Sequence, residues 1–266
     1  MAKKARPFTA TRSYAPATDR YGAAAVLAEA FADDPVAKAL FRSPALYARH
    51  SVAMYGWLLW AYHASFGITD VGLIITKSTS DGGEDRGPGA GAPSTTEHGK
   101  VSSEISCTAV WEPATMGWFA GLRVLIFLLW CLCFGPGPAV AWRCVSMFVR
   151  LEDKRYRLGG PSALHLQLLG TSVALQGCGI GAALLRRGLT RADGGHSPCY
   201  LESSNPRNVP FYERHGFVTV EEYYPFEDDG AKGPLMTLMR RKGRGEGGGT
   251  KATLQAPVQG PWRPTS

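Results

Sequence analysis

No apolar run in this 266-residue chain is long enough to cross a bilayer. The longest uninterrupted one, Val124 to Phe134, has 11 residues, whereas a spanning helix needs about 20. Residues 1–12 are mixed and polar, so the apolar block of a secretory signal is missing as well. The six cysteines (Cys107, Cys131, Cys133, Cys144, Cys178, Cys199) include no C-x-x-C pair, and the six histidines do not stand at ligand spacings from them. No metal site is expected. A basic excess is missing from the middle of the chain: the formal charge is +7, yet residues 21–239 carry a net −2. Residues 1–20 contribute +4 and residues 240–266 contribute +5. Charge blocks at chain ends are solvated, so the high pI gives no nucleic-acid surface. What is present, 45% hydrophobic residues, suffices for a true core. It excludes a disulfide-stapled miniprotein, a collagen and a wholly disordered chain.

The ends and one internal stretch read as unfolded. Residues 1–19 form a basic N-terminus, loosely like an organelle import segment. Residues 243–266 form a Gly/Pro/basic tail, and residues 78–100 are a Gly/Ser/Thr/Pro-rich flexible insertion at a hairpin tip. Between them lies one domain, residues 20–242. Helices are expected over residues 20–32, from Pro35 through Phe41, and over residues 44–61. Strands at 68–76 and 105–111 flank the insertion. Gly117 to Phe134, with Arg123 its one charge, is expected to be a buried or groove-lining helix, with membrane contact as the alternative. A more amphipathic helix follows from Ala139 to about Leu151. After that the pattern runs strand (LHLQLLGT), glycine loop, helix, strand (CYLES), helix (NPRNVPFYERHG) and two strands (FVTVEEYY, PLMTLMRR). This alternation indicates an α/β or α+β domain with a mixed sheet. Cysteines in apolar runs and the lack of a signal place the chain in a reducing, cytoplasmic compartment.

Gln176-Gly177-Cys178-Gly179-Ile180-Gly181-Ala182 follows a strand and opens a helix. Glycines there let successive backbone N–H groups converge on an anion, and the helix N-terminus adds partial positive charge. Pyrophosphate suits such a nest; a plain glycine turn is the simpler alternative. Gly177, Gly179 and Ala182 also fit the dinucleotide fingerprint, with Glu202 ending the next strand. Only about 40 residues of regular pattern remain after Glu202, too few for a doubly wound sheet.

The run QGCGIGAALL resembles motif A of the GNAT superfamily of acyl-CoA-dependent N-acetyltransferases, through Gln176, Gly179 and Gly181. LESSNPRNVPFYERHGF, Leu201 to Phe217, resembles motif B and is the more specific block. With AFADDPV (Ala30 to Val36) and AVWEP (Ala109 to Pro113) it resembles the puromycin N-acetyltransferase-like branch. The resemblance implies a single GNAT-type domain with a mixed, mostly antiparallel central sheet. The sheet is splayed between LHLQLLGT and CYLES, flanked by helices, with acetyl-CoA in the gap. It further implies that the backbones of Leu169, Gly170 and Thr171 pair with the pantetheine arm as an added strand would. The amides of Gln176, Gly177, Cys178, Gly179, Ile180, Gly181 and Ala182 hold the pyrophosphate, Asn205 reaches the pantetheine, and Tyr212 protonates the departing thiolate. Cys178 stands where relatives usually have Lys or Arg, and Thr171 where Val is usual.

Read without the family, these residues have plainer roles. Tyr212 beside Phe211 reads as core, and Asn205 before Pro206 as a helix cap. Glu202 either faces the acceptor cleft or pairs with Arg207 or Arg214. His165, Glu112 and Glu202 are the candidates to deprotonate an amine. His165 is expected to share a strand face with Gln167, Leu169 and Thr171, and a buried structural histidine is its alternative role. The function that emerges is acetyl transfer from acetyl-CoA to a primary amine, with a small-molecule amine favoured over a peptide N-terminus or lysine. The alternatives are a non-catalytic acyl-CoA-binding protein and a membrane-associated one.

Overall fold

The structure, a computed structural model, describes residues 9–64, 67–77, 101–113, 117–228 and 231–245. The expected insertion at 78–100 and the tail beyond 245 lie outside these residues, as do residues 1–8. The chain begins with strand β1 (Thr9–Ser13), then helices α1 (Pro16–Ala30), α2 (Pro35–Phe41) and α3 (Pro44–Ala64). Strands β2 (Ile68–Lys77) and β3 (Val101–Glu112) follow, then helices α4 (Gly117–Cys133) and α5 (Pro138–Lys154). The C-terminal half holds β4 (Leu164–Thr171), α6 (Ile180–Gly194), β5 (Cys199–Ser203), α7 (Val209–Glu213) and β6 (Val218–Tyr223). A two-residue hairpin, β7 (Glu227–Asp228) and β8 (Ala231–Lys232), precedes β9 (Met236–Arg241).

Seven strands form one sheet in the order β1-β2-β3-β4-β5-β9-β6. All neighbours run antiparallel except β4 and β5. That parallel pair is short: Leu164, His165 and Leu166 pair with Cys199, Tyr200 and Leu201, and no further. Beyond Leu166 the two strands part, so the sheet opens in its middle. The β4 edge that faces the opening is left for another partner.

One face of the sheet carries α6 and α7. Ile180, Leu184, Leu185 and Leu189 bury one stripe of α6 against Cys107, Ala109 and Trp111 of β3. Each such side chain contributes about 2 kcal/mol of apolar burial. The approach is close at Gly188, where a Cβ would stand 2.2 Å from the Trp111 ring. Only glycine lets α6 lie this near the sheet. The other face is covered by α1, α2, α3, α4 and α5, through a core that includes Leu27, Phe41, Leu59, Tyr200 and Leu238. Phe127 and Cys131 turn into this core from α4, while Leu125, Leu129 and Leu132 at helical spacing remain exposed. No helix among the described residues is long and apolar enough to cross a membrane.

Two expectations need correction. Residues 9–19 are part of the fold, because Thr9–Ser13 pairs along β2 and α1 already starts at Pro16. Of the charges that suggested a solvated tail, Arg12 is engaged: it grips Asp19 with both guanidinium nitrogens, at 2.5 and 2.8 Å, and Ala15 N–H donates to the same carboxylate. Burial and the Arg12 hydrogen bond act in opposite directions on Asp19; the hydrogen bond prevails and holds its pKa low. The second correction concerns motif B, where a 3-10 turn (Pro206–Asn208) and the five-residue α7 replace one longer helix. Pro210 lacks the N–H that a continuous helix from Pro206 would use.

Candidate active site

The glycine loop lies where β4 meets α6. Gly177 and Gly179 have φ of +80° and +89°, a backbone region that glycine enters without strain, and a Cβ at either would meet nothing within 4 Å. Gly179 is the N-cap of the fifteen-residue α6. Ala183 is the first residue whose N–H turns back into this helix, to Gly179 O at 3.0 Å. The N–H groups of Ile180, Gly181 and Ala182 thus point out of the helix end, as helix geometry requires. Upstream, Glu29 of α1 accepts from Val173 N–H at 3.1 Å and Ser172 Oγ at 3.3 Å, tying the loop to the opposite face of the sheet. Gln176 donates its side-chain amide to Thr171 O at 3.2 Å. Cys178 is half-buried and supplies no cation.

Leu169, Gly170 and Thr171 pair with Ala109, Thr108 and Cys107 of β3 on one side. Their other edge faces the opening. Between the β3 partners Val110 and Trp111 the register slips, so that Gln167 is an extra residue in β4. Such a bulge reverses the side-chain alternation beyond it. Leu169 and Thr171 accordingly pack toward α6, with Thr171 Oγ1 3.1 Å from Cys107 Sγ. His165, before the bulge, faces the other way, its ring 5.3 Å from that of Tyr200. The expectation that His165 shares a face with Leu169 and Thr171 is therefore wrong. It does share one with Gln167.

On that second face a chain of polar side chains is buried. Arg155, past the end of α5, donates to Glu112 Oε2 at 2.9 Å, and Gln167 Nε2 donates to the same oxygen at 2.7 Å. Gln167 Nε2 also lies 2.9 Å from His165 Nδ1, and His165 Nε2 lies 2.5 Å from Glu202 Oε2. Glu112 can only accept, so Gln167 presents its NH2 group there and its second hydrogen goes to His165 Nδ1. The imidazole proton then sits on Nε2 and is donated to Glu202. The side chains of Glu112, His165 and Glu202 are 3, 4 and 8% exposed. Glu202 Oε1 is buried and accepts no hydrogen bond among the described residues. Burial, and then Glu202, push up the pKa of the neighbouring Tyr200 phenol, although the two do not meet the geometry of a hydrogen bond. Of the two roles expected for Glu202, pairing with Arg207 or Arg214 is not what is seen.

A cavity of about 150 Å³ opens beside this chain, between α2, α3, α5 and the parted strands. Tyr212, Leu168, Leu169, Glu202 and Ser204 line it. A smaller one of about 30 Å³ touches Glu152, His165, Gln167 and Glu202. Tyr212 is buried, its ring 5.1 Å from Phe211 and 6.0 Å from Phe217. Burial, followed by Cys107 and Asp34, pushes its pKa up, so the phenol keeps its proton. Asn205 accepts from Arg207 N–H at 3.0 Å, the capping role its sequence suggests. Two groups on the cavity side are not among the candidate site residues read from the sequence. Asp34 caps α2 through Val36 and Ala37 N–H, and takes a short hydrogen bond from Ser204. Gln167 acquires its place only through the bulge. Among the described residues, no group of three or more His, Cys, Asp or Glu could hold a metal ion.

Residues 145–239 match the family model described as acetyltransferase (GNAT) domain. Over those residues the chain is similar to a GNAT acetyltransferase domain. The match runs from within α5 into β9 and so includes the parted strands, the glycine loop and Tyr212. Solved structures of GNAT domains share the fold over a longer span. A protein described as histone acetyltransferase HPA2 and related acetyltransferase from Corynebacterium glutamicum is 22% identical, with a TM-score of 0.53. That alignment covers 88% of this chain and 96% of the other. The polyamine N-acetyltransferase of Drosophila melanogaster, which forms N-acetylagmatine, is 13% identical with a TM-score of 0.54, covering 88% and 100%.

Proposed function

We propose that this chain transfers an acetyl group from acetyl-CoA to the primary amine of a small molecule, with both bound together. The observation that carries this reading is the opening after Leu166, with a glycine nest at its rim and Tyr212 and Glu202 inside. The free edge of Leu169, Gly170 and Thr171 suits the amides of a pantetheine arm. The outward N–H groups of Ile180, Gly181 and Ala182 suit a pyrophosphate, with Gly177 and Gly179 beside them, whereas the N–H groups of Gln176 and Cys178 turn back to Val173 O and Leu175 O. Asn205, whose side-chain oxygen accepts from Arg207 N–H, would add a polar contact to the pantetheine through its amide NH2. When bound, acetyl-CoA supplies the acyl group as a thioester.

The residues of the chain then manage protons. The ammonium of the acceptor loses one proton to Glu202, whose other oxygen is held by His165, and the freed lone pair forms the N–C bond. As the C–S bond breaks, Tyr212 gives its proton to the sulfur, and the second proton of the new amide nitrogen restores the phenol. One proton is released per turnover. All six cysteines are free, which suits the cytoplasm. The test is thiol release from acetyl-CoA across an amine panel, with Tyr212→Phe beside the wild type. Acetyl-CoA affinity should persist in the variant while turnover falls at least about tenfold. Unchanged turnover removes Tyr212 from the reaction. Acetyl-CoA binding without thiol release from any amine would instead mark a non-catalytic acyl-CoA-binding protein.

A further inference from the structure

We infer that the acceptor is a monoamine carried on one aromatic or comparably compact apolar body, an arylalkylamine, rather than a polyamine or guanidine. This rests on the transferase reading above and deepens it. The first observation is the size and wall of the cavity. Its volume of about 150 Å³ is that of an engineered apolar cavity known to admit benzene. Phe31, Phe41, Tyr55, Tyr62, Phe127 and Phe148 all contribute to the wall. A single ring fits, and its faces meet other rings.

The second observation is the count of available carboxylate oxygens. Asp34 also lines the cavity, but Oδ1 already accepts two backbone N–H groups and Oδ2 accepts the Ser204 hydroxyl. Glu112 is held by Arg155 and Gln167. Glu152, at the smaller cavity, is half exposed and bonded by Arg155. Glu202 differs: its Oε1 is buried with no hydrogen-bond partner among the described residues, and the residue lines both cavities. A buried carboxylate oxygen left in this state costs free energy until a donor reaches it. One ammonium supplies that donor and leaves its carbon body against the aromatic wall. A second cationic group on the same molecule would enter that wall without a counter-charge, at a desolvation cost that the site does not offset.

The experiment measures initial rates of thiol release by the full chain at saturating acetyl-CoA, with 2-phenylethylamine, ethylamine, agmatine and spermidine. The expected result is a kcat/KM for 2-phenylethylamine at least tenfold above each of the others. Agmatine or spermidine turned over as well or better overturns the inference and leaves the transferase reading standing. Thiol release from none of the amines by a chain that binds acetyl-CoA overturns both. In a second arm, calorimetry in the presence of CoA compares 2-phenylethylamine binding to wild type and Glu202→Gln. The variant should bind at least tenfold more weakly while its acetyl-CoA affinity, which reports that it is folded, is retained. Equal amine affinity overturns the role given to Glu202.

Discussion

The two sides of the opening between β4 and β5 are built from different materials. On the proposed acetyl-CoA side the working groups are main-chain: the free edge of Leu169 to Thr171 and the outward N–H groups of the loop into α6. On the proposed acceptor side they are side chains: Glu202, His165, Gln167, Glu112 and Arg155, next to an aromatic wall. A main-chain site depends on backbone conformation and tolerates changes such as Cys178 and Thr171. A side-chain site depends on partners brought together from distant segments, and each partner is held by the next. On the proposed function, the first would recognise what an acyl-CoA-dependent family has in common. The second is where members can differ.

Substitutions can break this contrast, beginning with the one of largest effect. Gly179→Glu places an anion and a Cβ at a positive-φ residue on the rim of the nest. Acetyl-CoA affinity should fall at least about a hundredfold by calorimetry, from charge repulsion and backbone strain together. Next, Arg155→Met leaves Glu112 buried without the guanidinium that faces it. The side chains of the pair are 8 and 3% exposed, so stability should fall by about 3–5 kcal/mol in a denaturant titration. Adding Glu112→Gln should recover part of that loss, since the uncompensated charge is then gone. Acetyl-CoA affinity of the folded fraction should not change, because the network belongs to the other side. The smallest effect is expected from Cys178→Arg, which restores a cation beside the nest. Affinity should rise by about fivefold in calorimetry, the scale of one charge-assisted contact at a helix N-terminus.

The same contrast explains what could be read from the sequence. Strand and helix order followed from periodicity, and the glycine loop was legible because positive φ at positions 177 and 179 demands glycine. The mixed, mostly antiparallel sheet with its parted pair also stands as expected. The acceptor side was legible only in fragments. AFADDPV and AVWEP supply Asp34 and Glu112, but nothing local in either motif shows where those carboxylates point. The facing of His165 was misread because the bulge at Gln167 arises from how β3 and β4 pair, not from the β4 sequence alone. The N-terminal strand was missed because Arg12 looks like tail charge until Asp19 is folded against it.

Amide hydrogen exchange of the full chain, with acetyl-CoA and then with acceptor amine and CoA, tests this division most directly. Acetyl-CoA alone should slow exchange across residues 168–184, and least in α5, residues 138–154; the amine added with CoA should then slow α5. Protection of α5 by acetyl-CoA alone, with residues 168–184 unchanged, would contradict it.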